Sequence, residues 1–119
     1  MVFSLIDSYD FGSIVINGKR YTSDVMVFPE HVIDGWLRRV GHELHIEDLK
    51  EVINLEPKPR VLVVGTGYYG CVKISAEVEE FLKIYGIELV AQPTMEACRK
   101  FNEILRSGKR VVGAFHLTC

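Results

Sequence analysis

Hydrophobic positions alternate with polar ones from Gly12 to Phe28, where Ile14, Ile16, Tyr21, Ser23, Val25 and Val27 keep a period of two. Asn17-Gly18 interrupts that run with residues that accept positive φ, so the segment is expected to be an antiparallel β-hairpin closed by a type I′ turn. Pro29 ends it. From His31 to Val40 the same period continues, with Ile33, Gly35 and Leu37 on one face, and an extended strand is expected. The period then changes. Ile46, Leu49, Val52 and Ile53 recur at helical spacing, and a short helix over residues 46–55 stops at Pro57 and Pro59.

The second half reads more regularly. Val61 to Val64 has no polar face, as a strand covered on both sides requires. Ser75 is placed to cap a helix whose Val78, Phe81, Leu82 and Tyr85 line one stripe, with Gly86 as its stop. Ile87 to Ala91 is the next strand. Thr94 is expected to cap a further helix that turns Ala97, Cys98, Phe101, Ile104 and Leu105 inward, Gly108 ends it, and Arg110 to Leu117 is the last strand. The resulting β-α-β-α-β half calls for parallel strands joined by right-handed crossovers. The N-terminal strands either extend that sheet or form a second layer. The expectation is a single layered α/β domain spanning residues 1–119, with a mixed central sheet.

Composition narrows the partners. With 119 residues the chain can bury a core without disulfides or metals. Its net charge of −2, with 25% charged residues, supplies no cationic excess for a nucleic acid backbone. No apolar run approaches the roughly 18 residues of a membrane span, and Met1 to Asp10 carries acids rather than a basic leader. A cytoplasmic protein with reduced thiols is the expectation. Cys71, Cys98 and Cys119 are too few and too dispersed for a disulfide framework or a clustered zinc site.

The chemistry-bearing stretch is Arg60-Val61-Leu62-Val63-Val64-Gly65-Thr66-Gly67-Tyr68-Tyr69-Gly70, a buried strand entering a G-x-G-x-x-G turn. Such glycines let backbone N–H groups approach a phosphate beside a helix N-terminus. A dinucleotide site also needs an acid closing the second strand, roughly 20 residues on. Here Glu88 stands near that strand's start, so no nucleotide cofactor is assigned.

Several separated motifs accompany this turn: Phe11-Gly12, Ile16-Asn17-Gly18, Asp24, Trp36, Val63-Val64-Gly65-Thr66-Gly67, Thr94, Ala97-Cys98, Asn102, Arg110 and Phe115-His116-Leu117-Thr118-Cys119. Together they resemble the small Mth-type domain family across essentially the whole chain. Its relatives include an adipogenesis-associated protein and, more distantly, mitochondrial complex I assembly factor three. The resemblance implies a mixed-sheet fold of its own type rather than a true Rossmann fold, without an established enzymatic activity. The ending resembles the archaeal and vertebrate-cytosolic members. Val90 stands where the family has Glu, Pro93 where it has Asp, and no Glu precedes Gly108 to Arg110, so roles resting on those acids are not carried over.

If the C-terminal strands are parallel, the turns after Val64 and Ala91 share a rim. Gly65, Thr66, Gly67, Tyr68 and Thr94 are therefore the candidate binding residues, for a protein partner, a second copy of the chain, or alternatively a small anion such as phosphate or carboxylate. Turn geometry and helix capping account for the same glycines and threonine without any ligand. No catalytic residue is assigned. Asn102, which interrupts the apolar stripe of its helix, and Arg110, at the start of a strand, are read as structural polar anchors. Cys98 reads as a core thiol, and a Cys98 to Cys119 bridge is left open. His42-Glu43-Leu44-His45 lacks the H-E-x-x-H spacing and is read as a solvated turn rather than a metal site. Trp36 with Arg38 and Arg39 has the composition of a contact patch, although a lone Trp usually belongs to a core.

Overall fold

The computed structural model describes residues 4–119, and its first three strands form a small antiparallel sheet. These are β1 (Ile6–Asp10), β2 (Ser13–Ile16) and β3 (Lys19–Tyr21), paired in that order. Asn17 and Gly18 join β2 to β3 with φ of 49° and 79°, the two positive values that a tight I′ turn requires. The alternation does not continue to residue 28 in one hairpin. The ladder ends at Tyr21, and β4 (Val25–Val27) pairs instead within a second sheet together with β5 (Val32–Asp34). Burial explains the switch. Val25, Met26 and Val27 are all 0% exposed, which demands cover on both faces of the strand. The strand expected over 31–40 shrinks to β5, because Gly35 turns the chain at φ +73° and Trp36 drops into the core.

A two-residue strand, β6 (Glu43–Leu44), stands where a loop was expected, held by the parallel β8 (Lys73–Ile74). A 3-10 turn (Ile46–Leu49) leads into the single-turn α1 (Lys50–Ile53). The regular part follows as β7 (Val61–Thr66), α2 (Ala76–Ile84), β9 (Glu88–Gln92), α3 (Thr94–Arg106) and β10 (Val111–His116). Ser75 caps α2, its hydroxyl accepting from Val78 N–H at 3.3 Å. The larger sheet has the order β5-β4-β10-β7-β9, with β10, β7 and β9 parallel and β4 and β5 antiparallel.

This order divides the core. The chain moves outward from β7 to β9, then returns past β7 to β10, and right-handed crossovers in opposite directions put α2 and α3 on opposite faces. On the α3 face, Val61, Val63, Phe101 and Phe115 pack with Ile14 and Ile16 of the small sheet. On the other face, Leu62 and Val64 pack with Met26, Trp36, Leu49 and Leu82. β7, buried at all six positions, feeds both cores, and its unbroken apolar run follows from that.

Candidate functional site

Val64 lies opposite Ala91 and Gly65 opposite Gln92 in the parallel register, so the turns beyond β7 and β9 leave one rim. They are bonded to each other. Gly67 N–H donates to Thr94 Oγ1 at 2.9 Å, the Thr94 hydroxyl donates to the His116 carbonyl at 2.7 Å, and Thr94 N–H donates to the Gly67 carbonyl at 3.0 Å. The cap expected from Thr94 is corrected here. Pro93, with extended backbone, occupies the N-cap of α3, and no side chain caps it. Thr94 is the first helical residue and is fully buried, which leaves its hydroxyl to bridge two strands.

Three further N–H groups of the turn are bonded within the chain. Tyr68 N–H reaches the Thr118 carbonyl at 2.8 Å, Gly70 N–H the Gly67 carbonyl at 3.2 Å, and Val72 N–H the Thr66 carbonyl at 3.0 Å. Gly67 has φ +106°, and a Cβ there would lie 2.8 Å from the Thr118 carbonyl oxygen and 3.0 Å from that of Cys119. A Cβ on Gly65 would lie 2.8 Å from both the Phe115 ring and Thr94 Oγ1. These glycines admit close backbone approach, and the chain's own residues 116–119 occupy the space beside Gly67.

What the rim turns outward is aromatic. Phe11, Tyr68 and Tyr69 are 50%, 43% and 70% exposed, with ring centroids 5.6 Å apart for Phe11 and Tyr68 and 5.0 Å for Tyr68 and Tyr69. Beneath them Tyr9 is buried, 6.4 Å from the Tyr68 ring, and donates its hydroxyl to the Leu117 carbonyl at 2.8 Å. Burial, reinforced by the neighbouring Cys98, Tyr68 and Asp10, pushes the Tyr9 phenol up to about 12.

Beside the same strand end lies a polar cluster that sequence reasoning did not assemble. Asp24 Oδ2 accepts from Arg38 Nη1 at 2.8 Å and lies 2.7 Å from His116 Nδ1, while Oδ1 accepts from Leu117 N–H at 2.8 Å. Arg38 also donates from Nε to the Gly41 carbonyl at 2.9 Å, its Nη2 is 2.8 Å from His116 Nδ1, and its guanidinium lies over the Trp36 ring at 5.1 Å. His116 Nδ1 thus lies within reach of both neighbours, donating to the Asp24 carboxylate when it is protonated and accepting from Arg38 Nη2 when it is not. His116 Nε2 then faces Thr118 Oγ1 at 3.5 Å. Burial raises the Asp24 pKa, but the hydrogen bonds from His116, Leu117 and Arg38 outweigh it and hold the carboxyl below its ordinary value. Asp24 and Trp36 were visible as motif residues, but no periodicity joins residues 92 apart.

The remaining candidates lie elsewhere. Asn102 grips one peptide of β1, its Oδ1 accepting from Ile6 N–H at 2.9 Å and its Nδ2 donating to the Ile6 carbonyl at 2.7 Å. Arg110 is exposed, and only its carbonyl is engaged, accepting from Arg60 N–H at 2.9 Å. Its guanidinium makes no ion pair among the described residues. The bridge left open between Cys98 and Cys119 is not formed: Cys98 is buried, Cys119 is exposed, and both thiols are free. Burial pushes the Cys98 thiol up to about 12. Trp36 is core rather than patch, donating Nε1–H to the Asp48 carbonyl at 2.9 Å. His45 Nε2 lies 2.9 Å from Glu43 Oε1, and no group of three metal-ligating side chains occurs among the described residues.

A mixed sheet covered by one helix on each face, with antiparallel strands at one side and a self-filled glycine rim, defines an α/β domain distinct from the Rossmann type. Residues 6–116 match the family described as a protein of unknown function, DUF498/DUF598, and the chain belongs to that family. It is 35% identical over 111 residues to the NADH dehydrogenase (ubiquinone) 1 alpha subcomplex assembly factor 3 of Danio rerio, covering 93% of this chain and 62% of that protein. The Homo sapiens protein of the same name is 34% identical over 111 residues, with 92% and 58% covered. The chain thus spans about three fifths of the length of these relatives. A conserved hypothetical protein from Pyrococcus horikoshii OT3 shares the fold with a TM-score of 0.84 at 26% identity, over 96% of this chain and 98% of that one. A Bordetella pertussis protein of the Mth-like domain type superposes with a TM-score of 0.71 at 23% identity, over 96% and 85%. No helix among the described residues is long and apolar enough to cross a membrane.

Proposed function

We propose that this chain is a non-enzymatic binding domain that assists protein assembly, with the Gly65 to Tyr69 turn and the adjacent Phe11 as its contact surface. One observation carries the reading. The Gly67, Tyr68, Gly70 and Val72 N–H groups of the glycine turn are bonded within the chain, whereas three aromatic rings at the same rim face solvent. Rigid aromatic side chains supply contact area at low entropic cost and dominate protein interfaces. The name of the Danio rerio and Homo sapiens relatives, an assembly factor, points the same way. An anion at this turn would have to displace the Thr118 carbonyl from Tyr68 N–H and Thr94 Oγ1 from Gly67 N–H.

The test pairs an interaction measurement with a ligand titration. Cross-linking and affinity capture with the Phe11→Ser, Tyr69→Ser double variant should lose a polypeptide that the original chain retains stoichiometrically, while thermal melting stays within about 0.5 kcal/mol because both sites are exposed. Titration with inorganic phosphate or acetate should leave the Gly67 to Gly70 amide resonances unmoved. Saturable shifts at those amides, together with unchanged capture by the double variant, would overturn the proposal in favour of an anion site.

A further inference from the structure

Free strand edges invite pairing with another chain, and proteins ordinarily blunt them with short length, bulges, cations or side-chain cover. Among the described residues, three of the four free edges in the two larger sheets are treated this way. β1 carries a register shift between Ile6 and Ser8, and Asn102 occupies both polar groups of Ile6. β3 is three residues long and contributes Lys19 and Arg20. β5 is also three residues, ended by the turn at Gly35. The fourth edge is different. β9 runs five residues, Glu-Leu-Val-Ala-Gln, without a bulge, a proline or a cation, at the margin of the five-stranded sheet.

The outward groups of β9 can be identified. Glu88 N–H donates to the Arg60 carbonyl at 2.9 Å, so Glu88 turns its main chain toward β7, and alternation does the same for Val90 and Gln92. Leu89 and Ala91 therefore direct their N–H and C=O groups away from the sheet. The geometry points to β9 as a homodimerisation edge that takes β9 of a second copy, antiparallel, about a two-fold axis through Val90.

This register makes the strand complementary to itself. Leu89 of one copy faces Ala91 of the other, and because both present outward groups, each pair exchanges two N–H···O bonds. Glu88 faces Gln92, setting a carboxylate against an amide donor, so no like charges oppose one another. Val90 faces Val90. The two five-stranded sheets become one continuous sheet, and the two-fold closes the assembly so that no edge of this kind remains. The inference does not rest on the aromatic rim, and its variants leave Phe11, Tyr68 and Tyr69 untouched.

Analytical ultracentrifugation up to submillimolar protein, combined with amide hydrogen exchange, tests the pairing. The original chain should associate reversibly to twice its 13.5 kDa, and the Leu89 and Ala91 amides should be protected at high concentration and released on dilution. Ala91→Pro deletes an outward donor that no bond within the chain uses, and should give a monomer with an unchanged melt. A chain that stays monomeric throughout, or a dimer that survives in a folded Ala91→Pro variant, overturns the inference. Should Ala91→Pro fail to fold, Val90→Cys in a Cys71→Ser, Cys119→Ser background decides. Facing residues of a non-hydrogen-bonded pair lie about 4.5 Å apart at Cα, within disulfide reach. Oxidation should link that variant at least tenfold faster than a control with the exposed Leu37→Cys in the same background, and equal rates would overturn the assignment.

Discussion

Thr94 Oγ1 serves two main-chain groups from different strands, accepting from Gly67 N–H and donating to the His116 carbonyl. Valine has the same shape and neither bond. Thr94→Val should leave a buried donor and a buried acceptor unpaired, a loss of about 2–4 kcal/mol from two such groups, whereas Thr94→Ser should restore most of it. Urea denaturation of the three proteins checks this, and equal midpoints for Val and Ser would refute the bridging role. The residue scale also shows where sequence reading stops. Gly65 and Gly67 mark a close backbone approach in any reading, but residue type alone does not say what approaches. Beside Gly67 it is the carbonyls of Thr118 and Cys119, about fifty positions downstream.

At the scale of elements, α3 attaches the small sheet to the large one through the two bonds between Asn102 and the Ile6 peptide. Asn102→Leu would keep the packing surface and strand those partly buried groups. A loss of about 1–2 kcal/mol is expected, together with amide exchange that rises first in β1 and β2 while β7 stays protected. Uniform loss of protection would show that the two sheets do not open separately. The parallel β-α-β-α-β half was legible because each element announces itself locally: an apolar run at Val61 to Val64, a cap at Ser75, helical stripes that end at Gly86 and Gly108. The Asn17-Gly18 turn was legible for the same reason. The sheet change at residues 22–24, the shortened β5 and the β6–β8 pair were not, since each depends on a distant strand that no local pattern names. The Asp24, Arg38 and His116 cluster escaped on the same ground.

For the whole molecule, that cluster ties the segment before β4 to the end of β10 and to the Trp36 loop. Asp24 is held below its ordinary carboxyl value in the folded state, so it contributes stability above about pH 4, the unfolded value, and the contribution fades as pH falls through the folded one. Asp24→Asn leaves the nearly buried Arg38 guanidinium without its counter-ion and should cost about 3–5 kcal/mol near neutrality. Thermal melts between about pH 2 and 7 should show the gap between the two proteins closing at the acid end, and a gap independent of pH would contradict the assigned ion cluster. The position of β10 has a consequence for how such a chain matures. It is the seam between β4 and β7, yet it follows both of them in the chain. A nascent chain halted at residue 110 holds two half-sheets with no strand between them, so the five-stranded sheet can close only after residues 111–116 have emerged, and until then each half keeps its central edge open.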